Sequence, residues 1–179
     1  MIFARIKMSC ENLDFESELE FVKDALRLYL NNEPFQAIEL LEKRKENSLV
    51  IDYVVCLLHV FNALISLDKN KIAETSSLLK DLERKCIAEQ PSWIRSIFFR
   101  NHRALFTRKK SIIENLEQDI ILADVLLCSA VLSIVEFDVS NYIKAALTLR
   151  RAHKIYHQTM RKIHELCSQF AEESPFDSS

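Results

Sequence analysis

The sequence predicts an all-α protein built from helical hairpins, and three features of the chain support this fold class. The 179 residues include no glycine and only three prolines, so few positions suit tight turns between strands. Apolar residues recur three and four positions apart along nearly the whole chain, which is the spacing of amphipathic helices. The apolar share of 49% is enough to build a buried core.

The lack of glycine also limits what the protein can do. Gly-rich phosphate loops, dinucleotide-binding loops and the nucleophile elbow of hydrolases all depend on glycine. The net charge of -2 gives no overall attraction to nucleic acid. We therefore expect neither a nucleotide-dependent enzyme nor a protein that binds nucleic acid.

The first four predicted helices are separated by short polar turns. The first covers about Phe15 to Asn31 and the second about Phe35 to Lys45. Pro34 lies between them and suits the first turn of a helix, where its missing N–H is not needed. A long apolar helix follows from about Ser48 to Leu67. After another polar turn, the fourth helix runs from about Ile72 to Ala88.

Three further helices complete a predicted total of about seven. Pro91 opens a fifth helix, from about Ser92 to Lys109, and a very apolar sixth helix covers about Ile112 to Phe137. The C-terminal helix is long, from about Asn141 to Glu172. Its expected N-cap is Ser140, because a serine hydroxyl can accept a hydrogen bond from a free N–H of the first turn.

These helices are expected to form a single helical-repeat domain over residues 15–172. A flexible N-terminus would precede it at residues 1–14, and residues 173–179 would form a disordered tail. The start of the chain has no apolar run of signal-peptide length. The five cysteines are widely spaced, which is typical of free thiols in a reducing compartment. We therefore expect a cytoplasmic protein, including the cytosolic face of an organelle membrane.

A pattern of small residues repeats along the chain. Ala25, Ala63 and Ser133 are each followed twelve positions later by a small or short residue, namely Ala37, Thr75 and Ala145. A hairpin period of about 34 residues, with one degenerate unit near Phe98, accounts for their spacing and is typical of tetratricopeptide repeats. Small residues at these positions let the two helices of a hairpin cross closely. The pattern favours a tetratricopeptide-like solenoid, and a plain helical bundle is the alternative.

The inner helices of such a solenoid line a concave groove, which we predict to be the partner-binding site. The groove positions are nearly all apolar: Leu19, Val22, Leu26, Tyr29, Leu57, Val60, Leu64, Leu67, Leu127, Ala130, Ile134 and Phe137. They lack the Lys, Asn and Arg side chains that would hold a C-terminal carboxylate, so chaperone tails are not expected partners. An apolar groove of this extent needs a cover. A partner helix, a lipid-like ligand or the chain's own last helix could supply it, and self-burial is the simplest of the three.

Two of the predicted helices also have the length of a membrane span. They are Leu49 to Leu67 and Ile120 to Phe137, each close to the roughly 20 apolar residues that cross a bilayer. Acidic residues within them, Asp52 in the first and Asp124 in the second, would be costly at that depth. A membrane-associated or lipid-binding helical protein is therefore the alternative to a soluble interaction protein.

Histidines on the last helix raise the question of a metal site. His153 and His157 are four residues apart and share a helix face, and His164 and Cys167 are three apart. The pairs cannot form one site, because His157 and His164 are about 10.5 Å apart along the helix axis. The sequence places no third ligand and no local nucleophile–base pattern. We therefore expect no metal, no cofactor and no enzymatic activity.

Basic residues cluster in two places in the second half of the chain. One cluster covers Arg100 to Lys110, and the other covers Arg150 to Lys162. Such clusters attract an acidic partner or an anionic membrane surface, although charge runs on helices are often solvated faces. The expected partner is another protein, with an anionic membrane surface as the second candidate.

Two stretches of the chain resemble a known family. They are ALRLYLNNEPFQAIELLEKRKENSLV (Ala25 to Val50) and ILADVLLCSAVLSIVEFDVSNYIKAALTLRRAHKIY (Ile121 to Tyr156). Both are similar to the N-terminal part of the tetratricopeptide repeat protein 39 family, which joins an apolar helix to an acidic turn and a second helix. That family usually has two glycines where this chain has Ala145 and Ala146.

The resemblance implies a cytosol-facing helical-repeat adaptor without catalytic chemistry. Fungal relatives in the family are associated with the mitochondrial outer membrane and with the clearance of protein inclusions. A typical member continues through several hundred more residues, so the resemblance implies a truncated or divergent member. The expected function is that of a scaffold whose groove binds an apolar helix or segment of a partner protein.

Overall fold

The computed structural model of the protein describes residues 12–43, 48–88, 112–136 and 138–172. Every regular element within these ranges is an α-helix, which confirms the predicted all-α fold. The six helices are α1 (Asn12–Leu30), α2 (Pro34–Glu42), α3 (Leu49–Ser66), α4 (Lys69–Ala88), α5 (Ile112–Val135) and α6 (Val139–Glu172). The fifth predicted helix, about Ser92 to Lys109, lies outside the described residues, as do residues 1–11 and the tail at 173–179.

Each described helix begins and ends within three residues of its predicted bounds, and aspartate caps explain two of the shifts. The backbone N–H of Asn70 donates to Oδ1 of Asp68 at 2.8 Å, so α4 begins at Lys69. The N–H of Ser140 likewise donates to Oδ1 of Asp138 at 3.4 Å. The residue that caps α6 is therefore Asp138, and the expectation that Ser140 would do so is wrong. A carboxylate is favoured at this position because it also faces the positive end of the helix dipole.

Two turns take the left-handed backbone conformation without glycine. Asn32 has a φ of 65° after α1, where its N–H donates to the carbonyl of Tyr29 at 3.1 Å. The N–H of Glu33 donates to the carbonyl of Leu28 at 3.0 Å, which completes a Schellman motif at the helix end. Leu67 has a φ of 50° after α3, where a side chain with a Cβ is disfavoured.

The described helices form two compact units, one ending at Phe61 and the other beginning at Asn62. In the first unit, α1 and α2 pack against each other. Its core combines residues from three helices: Val22, Ala25, Ala37, Leu41, Ile51, Val54, Val55 and Leu58. Two of these, Ala25 and Ala37, are the small residues of the first predicted repeat, and both are fully buried. The single domain over residues 15–172 stays a prediction.

The second unit is organised around α5, which contacts both α4 and α6. Two side-chain contacts fix the direction of α6 against α5: Lys162 binds Asp119, and Tyr156 donates to Asp124. As the residue number rises along α5, it falls along α6, so the two helices are antiparallel. Ala145 is buried in α6, whereas its neighbour Ala146 is exposed.

Candidate functional site

The first set of predicted groove residues lies on α1 and is divided between core and surface. Val22 belongs to the core of the first unit, and Leu26 and Tyr29 pack against that core while partly buried. Leu19 is exposed. The ring of Tyr29 lies with its centroid 6.3 Å from that of Phe61, and burial raises the pKa of the Tyr29 hydroxyl. This helix therefore buries part of the predicted groove face and leaves one end open.

The second set lies on α3 and in the turn that follows it. Val60 is buried, and Leu57 and Leu64 are half-buried. Leu67 is exposed, in the left-handed turn after the helix. Leu57 and Val60 belong to the first unit, whereas Leu64 and Leu67 belong to the second.

The third set lies on α5 and is divided between exposed and buried positions. Leu127 and Ile134 are 40% and 38% exposed, whereas Ala130 is fully buried. Phe137 lies outside the described residues. The structure adds Ile120, which is 38% exposed and is not among the predicted groove residues. Its seven-residue distance from Leu127 was the signal that could have identified it.

Ile120, Leu127 and Ile134 form what we call the α5 row. Residues seven apart lie on nearly the same side of a helix, about 10.5 Å apart along its axis. Other faces of α5 are buried, with Leu122, Leu126 and Leu132 almost fully inaccessible. The row is therefore an open apolar stripe on a helix that otherwise belongs to the core.

A set of polar contacts holds α4, α5 and α6 together. Nε2 of Gln118 donates to the carbonyl oxygen of Cys86 at 3.1 Å. The ion pairs are Arg151–Glu83 at 3.2 Å and Lys162–Asp119 at 2.8 Å. The basic residues of α6 were predicted from the sequence to form a cluster on the surface. The structure places Arg151 and Lys162 in contacts within the fold instead.

Tyr156 and Asp124 form a hydrogen bond between α6 and α5. Burial raises the pKa of the Tyr156 hydroxyl, and the bond to Asp124 raises it further because the neutral phenol is the donor. Burial also raises the pKa of the Cys128 thiol, and the charge of Asp124 adds to that shift. Both groups are therefore held in their neutral forms, which suits packing rather than nucleophilic chemistry.

The histidines of α6 lie on its exposed surface. The rings of His153 and His157 stack with their centroids 6.3 Å apart. His164 and Cys167 are also exposed. Among the described residues, no group of three or more His, Cys, Asp and Glu side chains is placed to hold a metal ion.

Two described helices are long and apolar enough to cross a membrane, Leu49–Ser66 and Asn115–Val135. Within the fold, 44% of the first stretch and 50% of the second are buried. Core helices of soluble proteins have the same length and composition. The buried half of each helix is consistent with a core role.

Comparison with known families gives a match over nearly the whole chain. The family model described as Iml2/Tetratricopeptide repeat protein 39 matches residues 23–178. The match includes the stretch between Ala88 and Glu117, which lies outside the two similar stretches identified in the sequence. A search of solved structures finds no match.

Proposed function

The chain belongs to the Iml2/Tetratricopeptide repeat protein 39 family, and from that membership we propose that it is a non-catalytic scaffold that binds an apolar helix of another protein. Tetratricopeptide-like repeat families generally serve protein interactions rather than catalysis. The proposed location is the cytoplasm, including the cytosolic face of an organelle membrane. Partner binding, not turnover of a substrate, is the proposed activity.

The observation that carries this proposal is the α5 row. Its three aliphatic side chains are 38–40% exposed, although they belong to a helix that is mostly core. Covering the remaining exposed part of each would contribute roughly 1 kcal/mol, since full burial of such a side chain contributes about 1.5–3 kcal/mol. The seven-residue spacing of the row matches the repeat with which two helices pack along a common seam. An apolar partner helix is therefore a suitable occupant.

The test is affinity capture with a variant that replaces two of the three residues of the α5 row and no fully buried residue. Leu127→Ser with Ile134→Ser changes two partly exposed side chains, so the helix content should be unchanged. Ile65→Ser with Met160→Ser is the matched control, because it removes two exposed apolar side chains outside the predicted groove. Val60 is unsuitable for this purpose because it is buried, and an aspartate there would unfold the protein.

We expect the wild type and the control to capture the same partner, and the Leu127→Ser/Ile134→Ser variant to lose it. Circular dichroism and thermal unfolding test whether the three proteins have the same helix content and melting temperature. Equal partner recovery by all three folded proteins would contradict binding through the α5 row.

A second candidate function is membrane association, which is supported by the length and apolar composition of α3 and α5. The measurement that separates it from the first is flotation with liposomes in the absence of detergent. A soluble protein that stays at the bottom of the gradient agrees with the scaffold. Stable flotation that survives high salt would instead indicate insertion of these helices into the bilayer.

A further inference from the structure

Helix α6 presents a continuous exposed face that changes character along its length. We call it the outer face of α6, and its residues are Val139, Ile143, Leu147, Arg150, Lys154, His157, Arg161 and His164. All are exposed. They are three or four residues apart, so they lie on one side of the helix. The opposite side carries the buried residues Ala145, Ala152, Ile155 and Thr159.

The first part of this face is apolar. Val139, Ile143 and Leu147 are 73%, 61% and 58% exposed, which is well above the exposure of the α5 row. They cover about 12 Å of the helix axis at 1.5 Å per residue. Covering three aligned apolar side chains with this exposure lowers the free energy of the complex.

The second part of the face is basic. Residues 139–164 contain six Lys or Arg and no Asp or Glu, in a protein whose net charge is -2. Two of the six are used inside the fold, Arg151 with Glu83 and Lys162 with Asp119. Arg161 makes an exposed contact of 3.7 Å with Glu165. Arg150 and Lys154 are exposed and form no ion pair with any residue that the structure describes.

We propose that the outer face of α6 binds a segment of a partner protein that is apolar at one end and acidic at the other. The apolar end would cover Ile143 and Leu147, and its carboxylates would pair with Arg150 and Lys154. The surface lies on a different helix from the α5 row, and the proposal does not rest on binding at that row. It therefore gives the protein a second and chemically different binding face.

The order of the apolar part and the basic part along α6 favours this occupant over a bilayer or a second copy of the chain. A helix that lies on a bilayer needs apolar side chains along its whole length, whereas here they occupy only the first turns. A second copy that paired face to face would bring basic zones together in a parallel arrangement, or basic against apolar in an antiparallel one. An acidic and apolar segment satisfies both zones at once.

The experiment measures the binding of a fluorescently labelled helical peptide by anisotropy. The peptide carries leucines on one face of its first half and glutamates on the same face of its second half. A second peptide, which has lysines in place of the glutamates, tests whether binding requires negative charge. Two variants alter the surface, Arg150→Glu with Lys154→Glu and Ile143→Ser with Leu147→Ser. Lys71→Glu with Lys80→Glu is the matched control, because it makes the same charge change at exposed positions of α4.

We expect the wild type and the α4 control to bind the glutamate peptide within about twofold of each other. Each α6 variant should bind about tenfold more weakly, as expected for the loss of two contacts of about 0.7 kcal/mol each. The lysine peptide should not bind. Raising the salt concentration should weaken the glutamate peptide's binding to the wild type, because exposed charges are screened.

Three results would overturn the proposal. The first is failure of the glutamate peptide to bind, or equal binding to wild type and both α6 variants. The second is a protein that binds phosphatidylcholine–phosphatidylserine vesicles but not the peptide. If both α6 variants lose the vesicle binding, the occupant is a membrane. The third is a dimer of the wild type that Ile143→Ser with Leu147→Ser dissociates, which would identify a second copy.

Discussion

The ammonium nitrogen of Lys162 lies 2.8 Å from Oδ2 of Asp119, and the Asp119 side chain has no exposed surface. The pair joins α6 to α5 in the second unit. A fully buried carboxylate is tolerated only where its charge is compensated, because removing a charge from water is costly. The contact therefore helps fix which part of α6 lies against the start of α5.

Lys162→Met should lower the free energy of unfolding by about 3 kcal/mol, because the Asp119 charge loses its partner inside the core. Urea unfolding at neutral pH measures the change. Lys154→Met, on the exposed face of the same helix, is the control and should change stability by less than about 0.5 kcal/mol. The double variant Asp119→Leu with Lys162→Met should recover much of the loss. Equal stability of the two single variants would show that the pair is unimportant.

Ala145→Leu should destabilise the second unit, whereas Ala146→Leu should not. Ala145 is 1% exposed and Ala146 is exposed, although the two residues are neighbours in α6. A larger side chain in a filled core costs about 1–3 kcal/mol, and an exposed leucine in a helix is nearly neutral. Thermal unfolding of the two variants measures the difference. If both unfold at the wild-type temperature, close packing at the third repeat is not required.

Leu67→Asn should stabilise the protein by about 1 kcal/mol. Leu67 has a φ of 50°, and asparagine tolerates the left-handed region better than leucine does. The residue is exposed, so little packing is lost. Ile65→Asn is the control, since Ile65 is exposed within helix α3 and asparagine is a weaker helix former there. A lower melting temperature for Leu67→Asn than for the wild type would count against backbone strain at this turn.

The Asp138 cap of α6 should make the stability of the protein fall as the pH is lowered into the acid range. Hydrogen bonds from the hydroxyl and N–H of Ser140 hold the pKa of the Asp138 carboxyl below its ordinary value. A lowered folded-state pKa means that the stabilisation is present above the unfolded pKa of about 3.9. It is lost as the pH falls through the folded pKa.

Melting temperatures of the wild type and Asp138→Asn should therefore differ at neutral pH and converge in acid. Ser140→Ala keeps the carboxyl but removes the hydroxyl donor, so the pKa of Asp138 should rise in an NMR titration. An unchanged Asp138 titration in Ser140→Ala would show that the hydroxyl does not stabilise the carboxylate.

The helical elements and their positions could be predicted from local sequence patterns. The spacing of apolar residues, with Pro34 and the polar turns around Asp68 and Asp138, placed every described helix within three residues of its bounds. This succeeds because helix formation and capping depend on residues within one or two turns of each other. Burial of Ala25, Ala37 and Ala145 also followed from their spacing, since small residues are needed where helices cross.

Which of the predicted groove residues are exposed became clear only from the packing of the helices. Val22 and Ala130 are core residues, whereas Leu127 and Ile134 are exposed. Ile120 is exposed on the same side of α5, although the spacing of three and four residues did not place it among the predicted groove residues. The basic cluster of α6 was likewise divided into residues that bind α4 and α5 and residues that face outward. The exposure of a side chain and the partner of a charge depend on helices distant in sequence, and these contacts are set by packing in three dimensions.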